Sequence, residues 1–220
     1  MKTVGKKAHR GILPLLVLIA GFVLSSCYED YGLTIEDYDT YLTHYKEGTN
    51  FQSYKYFVLP DTIVHIYDTT KTDPLKDARK FDASILSLTA SNLEARGYQR
   101  ITAADTAGRS ATTLVVLIGQ MTQEYVGYYY DYWYGYWGWY WPGYYPPYYP
   151  PAYGGTYEYS TGTTITELID LGQTKAQQKP IPVWSGIITG LTGSSTTAQT
   201  RITDGINATF AQSPYLYSGE

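Results

Sequence analysis

Apolar positions recur with two periods along this chain, and the periods separate strands from helices. Tyr54-Lys55-Tyr56-Phe57-Val58-Leu59, with Phe51 before it, is a short aromatic and β-branched run stopped by Pro60, which predicts a strand. Ile63 to Ile66 either extend that strand or form a second short one. Asp73-Pro74 reads as a helix start, because Asp accepts from free first-turn amides and Pro loses nothing at the first helical position. Ala78, Phe81, Ile85, Leu88, Asn92 and Ala95 then recur at spacings of three and four, with Leu93 beside them, and predict an amphipathic helix over 74–96. Arg96-Gly97 closes it with a cation at the negative end and a residue able to take positive φ. Thr113 to Gly119 is an apolar, β-branched strand expected at the centre of a sheet. From Thr163 the period is two: Thr163, Ile165, Glu167 and Ile169 alternate with Thr164, Thr166 and Leu168, and 182–191 follows as a hairpin partner. Ala198, Ile202, Ile206 and Phe210 recur every fourth residue and predict a second helix over 195–212, in which Gly205 costs about 1 kcal/mol relative to Ala.

The order β-α-β-β-β-α predicts an α+β fold: a two-layer sandwich of a mostly antiparallel sheet with two helices packed on one face. A single domain is expected over 51–214, with an acidic tether over 27–50 and a tail over 215–220. The tether holds Glu29, Asp30, Glu36, Asp37, Asp39 and Glu47, with five tyrosines among them that do not fit a fully solvated linker and leave open that part of it lies on the domain.

The first 26 residues read as an address. Lys2, Lys6, Lys7 and Arg10 precede an apolar run from Ile12 to Leu24, and these 13 residues fall short of the ~20 that span a bilayer. The run matches the apolar region of a secretory signal. Its end, Leu24-Ser25-Ser26-Cys27, resembles the lipobox of bacterial lipoproteins. That resemblance implies cleavage between Ser26 and Cys27, covalent lipid on Cys27, and a chain anchored to the outer membrane. Glu29-Asp30 resembles the surface-export signal of Bacteroides-type lipoproteins. Cleavage removes four basic groups and leaves 12 Lys plus Arg against 20 Asp plus Glu, a net charge of −8. That balance argues against nucleic acid as a partner, which calls for clustered cations.

Composition changes the picture at one place. The chain holds 26 Tyr and five Trp, and residues 125–159 alone contribute 15 Tyr and four Trp with no Lys or Arg. Tyr130, Tyr132, Trp133, Trp137, Trp139, Trp141, Tyr144, Tyr145, Tyr148 and Tyr149 are the candidate interaction surface. The half from Tyr128 to Trp141 has strong β propensity, and the Pro-rich half beyond it favours extended polyproline II. Each such ring presents roughly 150–250 Å², so the tract far exceeds the ~300–600 Å² of the largest apolar patch on an ordinary monomer. Three readings compete: a low-complexity insertion, an interaction surface, and self-association through stacked rings. Lipid headgroups, glycans and proteins all suit the second.

Chemistry is sparse elsewhere. Cys27 is the only cysteine and three histidines leave little for a metal site, so neither thiol catalysis, metal nor cofactor is expected, apart from the lipid. No Gly-x-Ser-x-Gly elbow occurs. Glu167 and Asp170 are three apart on a strand and face opposite sides, which rules them out as a carboxylate pair. His44 and His65 are expected to be solvated or packed, Asp204 solvated, and Trp184 in the core.

Five segments together resemble a known family: Phe51 to Pro60, Leu93-Glu94-Ala95-Arg96-Gly97-Tyr98, 113–119, Val183-Trp184-Ser185-Gly186, and Ile206-x-x-x-Phe210-x-x-x-Pro214. They are similar to domain of unknown function 4136, a family of bacterial envelope lipoproteins. The resemblance covers 51–121 and 160–214 and implies fold and compartment, but no reaction. Its members usually carry an acidic residue just before the second strand, where this chain has Thr112-Thr113. The expected role is a non-enzymatic binding or structural accessory of the envelope. The alternatives are a subunit of an envelope assembly and an envelope hydrolase.

Overall fold

β5 (Thr113–Met121) is the spine of a seven-stranded mixed sheet, with β6 (Thr163–Asp170) antiparallel on one side and two short parallel strands on the other. The structure is a computed structural model describing residues 39–66, 78–121, 163–190 and 197–219. Strand order is β1-β7-β6-β5-β2-β4, where β1 is Thr40–Tyr45, β2 Tyr56–Val58, β4 Gln99–Arg100 and β7 Pro182–Thr189. β3 (Val64–Ile66) pairs with the last third of β5, on the edge whose first third is taken by β2. The fold is α+β, with helices α1 (Asp82–Glu94), α2 (Leu171–Gln177) and α3 (Ala198–Ala211). The hairpin of β6 with β7 forms as the alternation predicts, with α2 in the connection.

Even-numbered residues of β5 face α1 and α3. Leu114, Val116 and Ile118 join Leu168, Trp184 and Ile188 of the neighbouring strands in one core with Ile85, Leu93, Ile202, Ile206 and Phe210. The Val115, Leu117, Ile165, Ile169 and Ile187 side chains on the second face are buried as well. Burial on both faces explains why β5 reads as an unbroken apolar run rather than an alternation.

α3 buries Ala198, Ile202, Ile206 and Phe210, the stripe that the four-residue spacing predicts. Gly205 has a packing reason: a Cβ there would lie 2.9 Å from Ile188 Cγ2 and 3.0 Å from Tyr41 Cε1. The Trp-x-Gly motif has another. A Cβ on Gly186 would lie 2.6 Å from the Trp184 ring, so the glycine is what lets the indole fold back over its own strand. Trp184 stacks on Phe210 at 5.2 Å, and its Nε1–H donates to Ser213 Oγ at 2.8 Å.

Several expectations are corrected. The segment read as a tether contains β1, whose six residues pair with β7 from Thr40–Thr189 to Tyr45–Trp184, so the domain begins well before Phe51. Its tyrosines were the signal: Tyr41 packs on the core, and Tyr45 rests on Tyr215 at 4.4 Å. The tail is also part of the fold, since Leu216 is fully buried, Ser218 N–H donates to Arg96 O and Gly219 N–H to Gln52 O. Asp73-Pro74 lies outside the described residues; α-helical pairing starts at Asp82 after a 3-10 turn over Ala78–Phe81. The fully buried residues of α1 are Ile85, Thr89, Ala90 and Leu93; of the predicted stripe Phe81 and Leu88 also pack partly buried against the core, and Ala95 is exposed. Leu93 is fully buried, and Arg96, one turn on, reaches across to α3, its Nη2–H donating to Phe210 O at 2.8 Å. α2 and β4 were not expected. α2 is capped by Asp170, whose carboxylate accepts from Gln173 N–H at 2.8 Å.

Candidate functional site

The register brings four points where the described chain begins or ends to one end of the sheet. Thr40 pairs with Thr189, Thr163 with Met121, and Met121 with Ile66, while Thr164–Ile188 links the two halves of this terminal row. From this row the chain leaves toward residues before 39, toward 67–77, toward 122–162 and toward 191–196. The opposite end is built from described turns: 51–53, the Gly97 turn, 103–112, α2 and the C-terminal residues.

The helix-facing side of the first end carries a polar layer. Across the sheet run His65, Gln120, Thr164, Ile188 and Tyr41. His65 Nε2 and Asp82 Oδ2 are 2.8 Å apart, joining β3 to the first turn of α1, where a carboxylate also favours the positive end of the helix dipole. Gln120 Nε2–H donates to Thr164 Oγ1 at 3.4 Å. His65 Nδ1, Asp82 Oδ1 and Gln120 Oε1 are buried without a hydrogen-bond partner among the described residues. A histidine–carboxylate pair is the minimal unit of general acid–base chemistry. Here the imidazole is 7 % exposed, and the pair ties a strand to a helix.

At the other corner of this end, Arg201 of α3 clasps the chain entering β1. Its Nε–H donates to Asp39 Oδ2 at 2.7 Å, and its Nη2 reaches both Asp39 Oδ1 and Gly190 O. The two side chains are 5 % and 2 % exposed, so this is a buried ion pair. Burial, then the nearby Asp39 and Asp204 carboxylates, pushes the Tyr41 phenol up from its ordinary pKa.

Sequence reasoning missed this clasp, though a signal existed. Arg201 sits three residues after Ala198, on the margin of the apolar stripe, and a cation there asks for a buried partner. Asp39 was hidden among the acids of the supposed tether. As expected, Asp204 is exposed and Trp184 is core. His44 is exposed on β1, and His65 is packed against Asp82. Glu167 and Asp170 do lie on opposite faces, in register with Leu117 and Leu114.

Asp170 works at the far end of the sheet. It accepts from Tyr54 Oη–H at 2.7 Å and from the Gln173 side chain. Burial, then the hydrogen bond to Asp170, holds the Tyr54 phenol far above its ordinary value of 10.0, and burial does the same for Tyr98. Both phenols therefore keep their protons in the folded state after the unfolded chain has lost them. Their stabilising contribution is whole below about pH 10 and declines above it. Urea midpoints are expected to fall as pH rises past ~10, and Tyr54→Phe to shallow that fall. An identical alkaline slope in the variant would remove Tyr54 from the account.

Ser26, Cys27 and the surface candidates Tyr130, Tyr132, Trp133, Trp137, Trp139, Trp141, Tyr144, Tyr145, Tyr148 and Tyr149 lie outside the described residues, as does the strand expected over Tyr128 to Trp141. Among the described residues no three His, Cys, Asp or Glu side chains gather to hold a metal ion, and no helix is long and apolar enough to cross a membrane.

Fold and site together define an α+β domain with a mixed sheet, a core-sealing Trp-x-Gly strand, and a polar layer at one end of the sheet. The chain belongs to the family described as Domain of unknown function (DUF4136), whose profile matches residues 42–215. That match begins inside β1. A crystal structure of a DUF4136 family protein from Bacteroides thetaiotaomicron is 29 % identical, with a TM-score of 0.56 over 81 % of this chain and 97 % of that one. A PelC dodecamer from Paraburkholderia phytofirmans is 15 % identical (TM-score 0.34, 83 % of this chain and 99 % of that one). A single-substitution variant of it is 16 % identical (TM-score 0.34, 81 % and 99 %). No curated protein matches the chain.

Proposed function

We propose that the mature chain is an outer-membrane lipoprotein, cleaved after Ser26 and lipidated on Cys27, that serves the cell envelope as a non-enzymatic binding or structural accessory. It takes no cofactor beyond its lipid, and its interaction surface is the aromatic tract. The observation that carries this reading is the concentration of 15 Tyr and four Trp, without Lys or Arg, in residues 125–159. Tyr and Trp are the side chains favoured at interaction hot spots and at membrane interfaces. Acyl chains contribute roughly 0.8 kcal/mol per buried CH₂, so a multiply acylated cysteine anchors stably.

Cys27→Ala is expected to move the protein from the detergent phase to the aqueous phase, or to leave it unprocessed; unchanged partitioning removes the anchor. For the tract, the tryptophan emission of residues 28–220 is titrated with vesicles and with envelope polysaccharide, beside a deletion of 125–159. A blue shift with one titrant that disappears on deletion supports the reading. Emission unmoved by every titrant overturns the tract as a lipid or glycan surface.

A further inference from the structure

The two edges of the sheet are guarded differently. β4 ends the strand order on one side with two exposed residues, one of them Arg100. Shortness and charge are what keep an edge from recruiting another strand. β1 ends the order on the other side with six residues, Thr-Tyr-Leu-Thr-His-Tyr, among which there is no Lys, Arg, Asp, Glu or Pro. Its register with β7 runs through all six positions without a bulge. Of the three large apolar side chains exposed among the described residues, two stand on this strand, Leu42 at 43 % and Tyr45 at 46 %.

Backbone parity shows which groups of β1 are left over. Lys46 N–H donates to Val183 O at 3.0 Å, so in the alternation of an antiparallel ladder Leu42 and His44 also turn their main-chain groups to β7. Tyr41, Thr43 and Tyr45 turn theirs outward. Among the described residues these outward groups meet one partner, the exposed Gln212 side chain, whose Nε2–H donates to Tyr41 O at 3.3 Å.

The outward row is complementary to a copy of itself. In an antiparallel pair centred on Thr43, Thr43 lies opposite Thr43, Tyr41 opposite Tyr45, and Leu42 opposite His44. All three outward residues of each strand then exchange main-chain bonds, about six in total. The Tyr41–Tyr45 pairs become cross-strand neighbours on the helix side, and the Leu42–His44 pairs on the other face, so both exposed apolar side chains gain a neighbour. Within the paired strands no like charges meet. In a chain of formal charge −4, an uncharged strand is where two copies approach with least repulsion.

We propose that β1 is a homodimer seam, in which two copies of the chain pair β1 to β1 about a two-fold axis through Thr43 and join their two seven-stranded sheets into one. Gln212 swings off Tyr41 O to admit the partner strand. The inference is independent of the lipoprotein reading and of the aromatic tract.

The test uses the full-length chain in detergent with Cys27→Ser, so that an introduced cysteine is the only thiol. Thr43→Cys stands about 5.5 Å, Cα to Cα, from its own copy, within disulfide reach. Mild oxidation is expected to convert most of it to a covalent dimer. Thr40→Cys is displaced from its copy by six residues, about 20 Å. It is expected to remain monomeric on denaturing gels, as is Ala107→Cys, an exposed site in the 103–112 turns. No cross-link at Thr43→Cys, or equal cross-linking at all three sites, overturns the seam. Amide exchange reads it without a substitution. Thr43 and Tyr45 N–H are expected to exchange at least tenfold more slowly at high protein concentration than at low, while Leu42 and His44 N–H, bonded to β7 in either state, change far less. Concentration-independent exchange at Thr43 and Tyr45 with a monomer mass in sedimentation overturns the dimer and leaves the edge to a strand from another protein. Thr43→Pro removes an outward donor and no bond to β7, so a folded monomer is expected where the parent is a dimer. A Thr43→Pro variant that still dimerises overturns the seam, and if it fails to fold the cross-links and the exchange decide.

Discussion

Trp184→Ala is expected to destabilise the domain by about 3–5 kcal/mol, the range for removing a fully buried aromatic side chain. At about 2–4 °C per kcal/mol for a domain of this size, Tm falls by roughly 6–20 °C. The indole is 1 % exposed, stacks on Phe210 and satisfies Ser213 Oγ, so its loss opens a void between sheet and α3 and removes a buried hydrogen bond. Relaxation into that void is limited by Gly186, which has no side chain to fill it. Trp184→Phe keeps much of the ring and loses the hydrogen bond, a deficit of about 0.5–1.5 kcal/mol with a further packing cost. Denaturant midpoints for both variants check the account. A Trp184→Ala loss below ~1 kcal/mol would mean that the stacking on Phe210 and the bond to Ser213 contribute little to stability.

Arg201→Met carries the second large effect. It leaves Asp39 buried with no cation, and breaking a buried pair from one side costs about 3–5 kcal/mol. The chain has a cheaper escape, because Asp39 sits where β1 begins and hydrates if the first residues of that edge strand detach. The expected signature is therefore local. Amide exchange across Tyr41–Tyr45 accelerates by at least tenfold, while the β5 and β6 amides change little. Combining Arg201→Met with Asp39→Asn removes the uncompensated charge and is expected to restore much of the protection. Exchange in β1 that is unaltered by the single substitution would show that the clasp holds nothing.

The elements legible in the sequence were those whose own side chains decide their structure. α3 announced itself through a stripe that the packing later uses without change, and β5 through burial on both faces. β1 was not legible, because only two of its six residues are even half-buried and its partner lies some 140 residues away in β7. A strand held by backbone pairing at an edge leaves little periodic signal. α2 is one short helix fixed by an Asp170 cap, and its apolar content is too small to stand out. In α1 the fully buried positions shift toward Thr89, Ala90 and Leu93, while Phe81 and Leu88 of the predicted stripe stay partly buried against the core. In the candidate site, residue types were readable but their convergence was not. Asp39, Arg201, His65, Asp82 and Gln120 come from five separate stretches and meet only through the register.

The family's most recognisable residues turn out to be structural. Leu93 and Tyr98 seal the bottom of α1, Gly97 takes φ +86° to reverse the chain, and the Trp-x-Gly pair is a packing solution. They specify a scaffold.

The placement of the chain ends has a mechanical meaning. The chain enters β1 at Thr40 at one end of the sheet, and the C-terminal residues are fastened at the other through Leu216, Ser218 and Gly219. A load between the two ends runs along the axis of β1, perpendicular to the hydrogen bonds that join it to β7. The six paired positions share that load in shear, where a strand pulled from its free side would open one bond at a time. A load applied along that axis therefore meets all six paired positions together rather than one after another.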